Sequence, residues 1–270
     1  MLILAATPIG NLQDASPRLG SVLADADLLF AEDTRQTRKL LQHFDLERPL
    51  RAFHEFSDER ALEGIRRLLA DGKKVVYVSD AGMPAVSDPG YELVRLALAE
   101  SVDIDVIPGP SAVLNALVLS GLPSHEFCFL GFLPSTDEKR RRLAARLATL
   151  QMTAVFFEAP TRIHYSLAWL AETAPEVQVA LCRELTKLHQ QVLRGTPSEV
   201  DAALTVAKGE MVLVVGPFAE DTVQERSLEE QYQQLLEGGK SPSQAVRELA
   251  KAHRIQKREL YRRLQLDGGR

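Results

Sequence analysis

The sequence predicts an α/β protein of two α/β lobes, followed by a small C-terminal segment made only of helices. Short apolar runs typical of buried strands alternate with segments of helical periodicity from residue 2 to about residue 215. Such alternation favours parallel or mostly parallel sheets flanked by helices. Beyond about Glu225 only helical patterns remain. We therefore expect a first lobe over residues 1–120, a second over 121–220 and a helical tail over 225–270.

The composition is that of a globular protein with a substantial core. The 270 residues are 45% hydrophobic with a mean hydropathy of -0.10, and no apolar run reaches the roughly 18 residues that span a bilayer. The first residues lack the basic start of a signal peptide. Cys128 and Cys182 lie in apolar runs, which favours free thiols in a reducing compartment over a disulfide. We expect a cytoplasmic protein without membrane contact.

The clearest unit of the first lobe is a strand, a loop and a helix between residues 75 and 100. Residues 75–78 form an apolar run typical of a strand buried on both faces. A polar loop with Asp80, Gly82 and Pro84 follows, and Asp88 with Pro89 predicts the start of a helix. Loops of this kind bind ligands at the carboxyl ends of strands in open α/β sheets, although many bind nothing.

The other elements of the first lobe follow from apolar runs and helix-start patterns. Strands are expected at residues 2–6, 28–31, 50–53 and 103–107. Helices are expected to begin at Ser16-Pro17, after Glu32-Asp33-Thr34, at Ser57 and after Pro108-Gly109-Pro110-Ser111-Ala112. The last of these helices is apolar and ends near Ser120.

The second lobe is predicted to begin after a joint at Gly121-Leu122-Pro123-Ser124. Strands are expected at residues 127–132, 153–158, 178–185 and 211–215. Helices are expected over residues 136–150, from Thr161 and from Thr196, where Glu199 completes a capping box. If both sheets are parallel, the loops that follow their strands meet at one end and form a cleft for a small polar ligand.

The tail is predicted to hold two short helices joined by a tight turn. One runs from Ser241-Pro242 to about Ala252, a turn covers 253–255, and the other covers 256–264, a spacing similar to a helix-turn-helix. Seven basic and two acidic residues lie between 247 and 263, although the net charge of the chain is -5. This basic patch contacts RNA or the ribosome, or else forms a solvated helix face.

Several familiar chemistries lack their motifs in this sequence. We find neither a dinucleotide fingerprint nor a P-loop, no G-x-S-x-G elbow, and no histidine pair with metal-ligand spacing, so no metal is expected. What remains is a set of polar loops after strands.

Six ordered motifs in these loops resemble a known family. They are Ala6-Thr7-Pro8-Ile9-Gly10-Asn11-Leu12, Ala31-Glu32-Asp33-Thr34-Arg35, Ser79-Asp80-Ala81-Gly82-Met83-Pro84 with Ser87-Asp88-Pro89-Gly90, Pro108-Gly109-Pro110-Ser111-Ala112, Phe157-Glu158-Ala159-Pro160 and Arg183-Glu184-Leu185-Thr186-Lys187. Over residues 2–218 the chain resembles the tetrapyrrole-methylase superfamily, class III S-adenosylmethionine-dependent methyltransferases. The resemblance is to its ribosomal branch, which methylates a cytidine 2′-oxygen in the decoding region of 16S rRNA. That branch usually has threonine at the position of Met83 and histidine at that of Thr161.

The resemblance implies that S-adenosylmethionine binds in the cleft between the lobes, in a chain that is usually a homodimer. Carried over by motif, the residues expected to contact or border this methyl donor are Thr7, Pro8, Asp80, Ala81, Gly82, Met83, Pro84, Val86, Ser111, Ala112, Phe157, Glu158, Ala159, Leu185, Thr186 and Met211.

The implied reaction is in-line attack of the ribose 2′-oxygen on the sulfonium methyl, so a group that takes the hydroxyl proton would help. Asp33, Glu158, Glu184 and Lys187 lie in the right loops to act as this base. Competing interpretations remain open: Asp33 caps the following helix, Glu184 pairs with Arg183, or no side chain acts as the base.

Basic residues near the predicted cleft are candidates for RNA contact. They are Arg35, Arg38, Lys39, Lys139, Arg140, Arg141, Arg142 and Arg183. The run from Lys139 to Arg142 lies early in a predicted helix, where it opposes the helix dipole, which favours phosphate contact over a stabilising role in the helix.

Two other functions stay open at this point. A small-molecule methyltransferase acting on a tetrapyrrole shares the superfamily, although the basic runs argue against it. A non-catalytic ribosome-binding factor would share the fold but would not bind S-adenosylmethionine.

Overall fold

The structure is a computed structural model that describes residues 1–54, 59–218, 228–237, 239–252 and 255–264. The chain divides into two compact units, Met1–Ala219 and Glu220–Arg270. The first unit contains two five-stranded sheets with helices packed on them, and the second contains helices.

The first sheet is entirely parallel, with strand order β3-β2-β4-β1-β5. Its strands are β1 (Leu2–Ala5), β2 (Leu28–Ala31), β3 (Leu50–Ala52), β4 (Val75–Val78) and β5 (Ile104–Ile107). The helices between them are α1 (Pro17–Asp25), α2 (Thr34–His43), α3 (Glu59–Ala70) and α4 (Gly90–Ala99). The predicted parallel sheet of this lobe is confirmed.

Both faces of the first sheet are buried because successive apolar side chains point to opposite sides. Leu4 and Tyr77 pack with residues of α3 and α4 on one face. Ile3 and Val76 pack with residues of α1 and α2 on the other. The continuous apolar runs that predicted these strands therefore reflect helices on both sides of the sheet.

The second sheet is mixed, with strand order β6-β7-β10-β8-β9. Its strands are β6 (Phe127–Phe132), β7 (Thr153–Glu158), β8 (Val179–Arg183), β9 (Gln191–Gly195) and β10 (Met211–Val215). The helices that follow β6, β7 and β9 are α6 (Asp137–Leu150), α7 (Ile163–Thr173) and α8 (Pro197–Ala203). Only β6 and β7 pair in parallel, whereas β10 runs antiparallel to β7 and β8, and β8 to β9.

The second sheet is therefore not parallel throughout, in contrast to the expectation. The ends of β7 and β8 and the start of β10 nevertheless lie at the same edge of the sheet. Because β10 is antiparallel to both neighbours, its first residue lies beside the last residues of β7 and β8. Met211 pairs with Glu158 on one side and with Arg183 on the other.

Helix α5 (Ala112–Ser120) joins the lobes and packs on the second sheet. Val113, Ala116 and Leu117 lie in one core with Val155 and Cys182. The predicted boundary at residue 120 assigned this helix to the first lobe, whereas its apolar side belongs to the core of the second.

Helix starts mostly agree with the sequence-based expectations. Ser16 caps α1, and Thr196 with Glu199 forms the capping box of α8. Helix α4 instead begins at Gly90, one residue later than expected, because the carboxylate of Asp88 accepts N–H groups from both Ala85 and Gly90. The predicted helix start at Ser57 lies outside the described residues, and β9 was not predicted.

The second unit holds α9 (Leu228–Glu237), α10 (Pro242–Ala252) and α11 (Lys257–Arg263). Val246 and Leu249 of α10 pack with Leu260 of α11 in a small core, which agrees with the two predicted tail helices. Residues 253 and 254 of the predicted turn lie outside the described residues. In the described part of the chain, every helix is too short or too polar to cross a membrane.

Candidate functional site

Three loops at the carboxyl ends of β1, β2 and β4 are tied together by hydrogen bonds. Thr7 and Gly82 form an antiparallel bridge, with N–H to carbonyl distances of 2.9 and 3.1 Å. The carboxylate of Asp80 accepts the backbone N–H of Asp33 at 2.7 Å, which ties the β4 loop to the β2 loop. These hydrogen bonds hold the three loops against one another at the carboxyl edge of the first sheet.

The loop between β4 and α4 holds two residues in the left-handed region, where non-glycine residues are uncommon. Ala85 and Ser87 both have φ of 64°. The carboxylate of Asp88 holds this turn by accepting the N–H groups of Ala85 at 2.6 Å and Gly90 at 2.8 Å. Burial raises the pKa of Asp88 above its ordinary value, and these two hydrogen bonds oppose the rise. Strain of this kind often marks functional loops.

A second strained loop follows β8 in the other lobe. Glu184 and Thr186 have φ of 53° and 66°. The Glu184 carboxylate accepts the backbone N–H of Glu210 at 2.9 Å, and the Lys187 ammonium bridges Glu184 at 3.0 Å and Glu210 at 3.1 Å. The stem of Lys187 lies against Gly10 of the first lobe, where a Cβ atom would overlap it. This contact links the β8 loop to the β1 loop across the two lobes.

Between these loops lies a cavity of about 380 Å³, which we call the interlobe cavity. Its lining residues come from both lobes and are Ile9, Glu32, Ser79, Asp80, Ala81, Gly82, Met83, Val86, Ser87, Asp88, Ser111, Ala112, Val113, Phe132, Phe157, Glu158, Pro160, Leu185, Gly209, Glu210, Met211 and Val212. Apolar side chains from both lobes form much of its surface, which suits a flat, weakly polar group.

The charges that line the interlobe cavity are all negative. Five carboxylates contribute to its wall: Glu32, Asp80, Asp88, Glu158 and Glu210. Among the residues that the structure describes, no lysine, arginine or histidine joins them. Since Glu158 pairs with Arg162 and Glu210 with Lys187, the positive part of a ligand is favoured most beside Asp80 and Asp88.

A second cavity of about 430 Å³, the adjoining cavity, shares Ile9, Ser79, Asp80, Ala81 and Glu210 with the first. Its other lining residues are Thr7, Pro8, Gly10, Leu12, Gln36, Thr37, Lys39, Leu40 and Lys187. The ammonium groups of Lys39 and Lys187 give this cavity positive charge beside the carboxylates of Asp80 and Glu210, and positive charge of this kind attracts an anionic ligand.

Most residues expected to contact the methyl donor line the interlobe cavity. They are Asp80, Ala81, Gly82, Met83, Val86, Ser111, Ala112, Phe157, Glu158, Leu185 and Met211. Thr7 and Pro8 line the adjoining cavity instead. Pro84, Ala159 and Thr186 belong to the same loops but line neither cavity among the described residues.

Sequence reasoning missed several polar residues of the interlobe cavity, notably Glu32, Asp88 and Glu210. Glu32 and Asp88 both lie in motifs that carry the family resemblance, but the sequence pattern around Asp88 predicts a helix start and does not by itself indicate a site residue. Glu210 lies just before the predicted strand at 211–215, so the antiparallel direction of β10 was needed to place it in the site.

The four predicted bases are all engaged in ways that oppose proton abstraction. Asp33 caps α2 and pairs with Arg35 at 2.7 Å; hydrogen bonds to Arg35 lower the pKa of Asp33 to about 2. Glu184 pairs with Lys187 rather than Arg183, and a backbone hydrogen bond from Glu210 lowers the pKa of Glu184. Burial lowers the pKa of Lys187, but hydrogen bonds to Glu184 and Glu210 outweigh it, so the net pKa is raised.

Glu158 is the fourth predicted base, and its side chain is fully buried. Its carboxylate forms an ion pair with Arg162 at 2.6 Å and accepts hydrogen bonds from the Ser166 hydroxyl at 2.6 Å and from the Ala159 N–H at 2.7 Å. The lowered pKa values of Asp33 and Glu184, the raised pKa of Lys187 and the ion pair of Glu158 with Arg162 all disfavour proton abstraction, and a base among these four stays a prediction.

The predicted RNA-contacting cations divide into exposed and buried groups. Arg35, Arg38, Lys39, Lys139, Arg141 and Arg142 are exposed, although Arg35 pairs with Asp33 and Arg142 with Glu138. Arg183 is half-buried and donates to Gln191 and to the carbonyl of Lys208. Arg140 is only 1% exposed, so the expectation that it contacts phosphate is wrong.

The chain is similar to one family of known proteins over most of its length. The model of the tetrapyrrole (corrin/porphyrin) methylases matches residues 1–201. Ribosomal RNA small subunit methyltransferase I of Thermotoga maritima is 43% identical over 79% of this chain and 97% of its own length. Proteins with the same name from Halalkalibacterium halodurans and Mycobacterium bovis are 38% and 42% identical, each over 96% of this chain and 93% of their own.

Solved structures share the fold at low sequence identity. Diphthine synthase matches 80% of this chain and 90% of its own at a TM-score of 0.65 and 12% identity. Uroporphyrin-III C-methyl transferase from Thermus thermophilus, complexed with S-adenosyl homocysteine, matches 83% of this chain and 99% of its own at a TM-score of 0.56 and 18% identity.

Proposed function

This chain belongs to the tetrapyrrole (corrin/porphyrin) methylase family, and from that premise we propose that it is an S-adenosylmethionine-dependent methyltransferase of 16S ribosomal RNA. Its curated relatives carry the name ribosomal RNA small subunit methyltransferase I at 37% to 43% identity. The finer proposal is that it methylates the 2′-oxygen of a cytidine in the decoding region.

The observation that carries this proposal is the negative lining of the interlobe cavity. S-adenosylmethionine has a sulfonium, an ammonium and one carboxylate, so its net charge is positive. Asp80, Asp88 and Glu32 offer carboxylates to the cationic end, while Phe157, Leu185 and Met211 offer apolar surface to the adenosine. The residues present therefore fit this methyl donor.

The adjoining cavity is proposed as the site of the acceptor nucleotide. Because it shares Asp80, Ala81 and Glu210 with the interlobe cavity, an acceptor ribose placed there lies next to the donor. Lys187 uses two of its three N–H groups on Glu184 and Glu210, which leaves one for an acceptor oxygen.

Bound S-adenosylmethionine supplies a methyl group that its positive sulfur has already activated. The residues of this chain need to hold the ribose oxygen in line with that methyl group and to exclude water. A C–O bond forms as the C–S bond breaks, and the hydroxyl proton leaves to solvent. We assign no side chain as general base, because Asp33, Glu158, Glu184 and Lys187 are all ion-paired.

The cellular context follows from the substrate. We propose that the chain acts on RNA within the small ribosomal subunit and therefore in the cytoplasm. We also propose a homodimer, on the resemblance to the family alone.

A transfer assay with labelled S-adenosylmethionine tests the proposal. Purified small ribosomal subunits, protein-free 16S rRNA and a porphyrinoid are offered as acceptors. Label is expected in the RNA, as a 2′-O-methylated cytidine after digestion.

Each alternative has its own outcome in this assay. Label in the porphyrinoid alone would indicate a tetrapyrrole methyltransferase. A chain that binds ribosomal subunits but shows no heat with S-adenosylmethionine in calorimetry would be a non-catalytic binding factor.

A further inference from the structure

The basic run at the start of α6 contains one arginine that points away from the solvent. Lys139, Arg141 and Arg142 are exposed, whereas Arg140 is 1% exposed and is the largest fully buried side chain in the described residues. A buried guanidinium is unfavourable for stability unless its partners compensate, and an apolar replacement often costs nothing. Its presence in the core therefore calls for a role besides stability.

Arg140 is held in one orientation by the elements around it. Its Nε donates to the carbonyl of Pro134 at 2.8 Å. The guanidinium carbon lies 3.9 Å from the ring centre of Tyr165 and 5.5 Å from that of Trp169 on α7. A planar guanidinium stacked in this way has a fixed direction for its remaining N–H groups.

One of those N–H groups reaches toward the interlobe cavity through a serine. Nη2 of Arg140 donates to the hydroxyl of Ser166 at 3.4 Å, and that hydroxyl donates to Glu158 at 2.6 Å. Ser166 is fully buried, and Glu158 lines the cavity. Since Arg140 can only donate, it directs the serine proton toward the carboxylate.

We propose that Arg140 is a positioning residue for the methyl-donor site, acting through Ser166 on Glu158, and that it does not contact RNA. The inference rests on the proposed binding of S-adenosylmethionine in the interlobe cavity. Glu158 ends β7 at the wall of the cavity. Arg162 and the Ala159 N–H hold its Oε1, whereas the Ser166 hydroxyl holds its Oε2, so the contact from Arg140 acts on the position of Oε2.

Two arginines that are neighbours in sequence provide a matched test. Arg140→Met fills the same space beside Tyr165 and Trp169 without N–H groups, and Arg141→Met removes an exposed cation. We expect Arg140→Met to weaken S-adenosylmethionine binding about tenfold in calorimetry, because a buried polar contact is lost, with an unchanged salt dependence of RNA binding. Arg141→Met should lower the salt slope by about one and leave donor binding unchanged.

A serine variant separates positioning from simple folding effects. Ser166→Ala should weaken donor binding to the same extent as Arg140→Met, and the double variant should bind no worse than either single one, because both remove one connected contact. Arg140→Lys, which keeps the charge, should recover part of the affinity.

Two results would overturn the inference. One is unchanged donor affinity in folded Arg140→Met together with a lower melting temperature, the pattern of a purely structural residue. The other is a reduced salt slope in Arg140→Met, the pattern of a phosphate contact. Failure of the unaltered chain to bind S-adenosylmethionine would instead contradict the proposed function, and the inference with it.

Discussion

At the scale of single residues, the interlobe cavity and the adjoining cavity differ in the charged side chains that line them. Of the described charged side chains, Glu32, Asp88 and Glu158 line the interlobe cavity alone, Lys39 and Lys187 line the adjoining cavity alone, and Asp80 and Glu210 line both. A cationic donor and an anionic acceptor are therefore attracted to neighbouring but different places.

Lys187 tests the proposed acceptor side of the site. Lys187→Met is expected to lower kcat of methyl transfer by at least about tenfold, since a preorganised donor near the reacting oxygen is lost. Donor affinity should stay within about twofold, because Lys187 does not line the interlobe cavity as described. Single-turnover transfer and calorimetry measure the two quantities.

Lys39→Met is the matched control, because Lys39 lines the same cavity but donates to the amide oxygen of Gln36 at 3.1 Å, whereas Lys187 bridges two carboxylates. It should weaken RNA affinity without a comparable loss of kcat. Parallel loss of donor affinity and kcat in Lys187→Met would contradict the assignment.

The contact between Asp33 and Arg35 makes the stability of the folded chain depend on pH. Its pKa falls from 3.8 to about 2 in the folded chain, because Arg35 donates to its carboxylate. The folded state therefore gains stability from Asp33 above about pH 4 and loses it as the pH falls toward about 2. Asp33→Asn keeps a cap acceptor for α2 but removes this charge.

The free energy of unfolding, measured by urea titration across that range, should fall less steeply with acid in Asp33→Asn than in the unaltered chain. Curves of equal steepness would show that the Arg35 pair makes no difference in solution. Because the Asp33 side chain is only partly buried and its partner Arg35 is exposed, we expect a modest effect.

At the scale of elements, loops with left-handed backbone conformations position the side chains of the proposed site. The β8 loop depends on Gly209, which has φ of 83° and lies so close to Glu184 that a Cβ atom would overlap its carboxylate. Gly72 also has a positive φ, of 74°, but a Cβ atom there would meet nothing within 4 Å. The two glycines separate backbone strain from displacement of the loop.

Gly209→Ala and Gly72→Ala should each lose about 1–2 kcal/mol of stability from backbone strain. Only Gly209→Ala should also impair methyl transfer, because Glu184 must move and Lys187 loses its fixed partner. Melting temperatures and transfer rates of the two variants provide the comparison. Equal activity in both variants would mean that the position of Glu184 is unimportant.

The elements also show what local sequence patterns can predict. Apolar runs and caps located all strands of the first lobe and the starts of α1 and α8. These patterns do not predict whether a strand pairs in parallel or antiparallel, because a strand such as Met211–Val215 is equally apolar in either direction. Strand β9 (Gln191–Gly195) was missed because it is half-buried and lacks an apolar run.

The misassigned Arg140 could have been found by periodicity. Arg140 lies three, four and seven residues before Leu143, Ala144 and Leu147, which are all buried on the inner side of α6. That spacing is the buried side of an amphipathic helix. Because four basic residues are consecutive in the sequence, their charge draws attention away from the spacing that places Arg140 on the buried face of α6.

At the scale of the whole first unit, two lobes contribute unlike parts to one site. The parallel sheet supplies the acidic loops after β1, β2 and β4, and the mixed sheet supplies the apolar ends of β7 and β10. Helix α5 begins at the cavity with Ser111 and Ala112 and packs on the second sheet. Motif order in the sequence predicted this convergence, although the positions of Glu32, Asp88 and Glu210 required the structure.

The most direct test of the central claim is a map of ribose methylation in the small-subunit RNA of cells with and without this chain. We expect one 2′-O-methylated cytidine to disappear when the chain is deleted. It should return with the unaltered chain but not with Asp88→Asn, which keeps the turn's acceptor and loses the charge facing the donor. An identical methylation pattern with and without the chain would contradict the account.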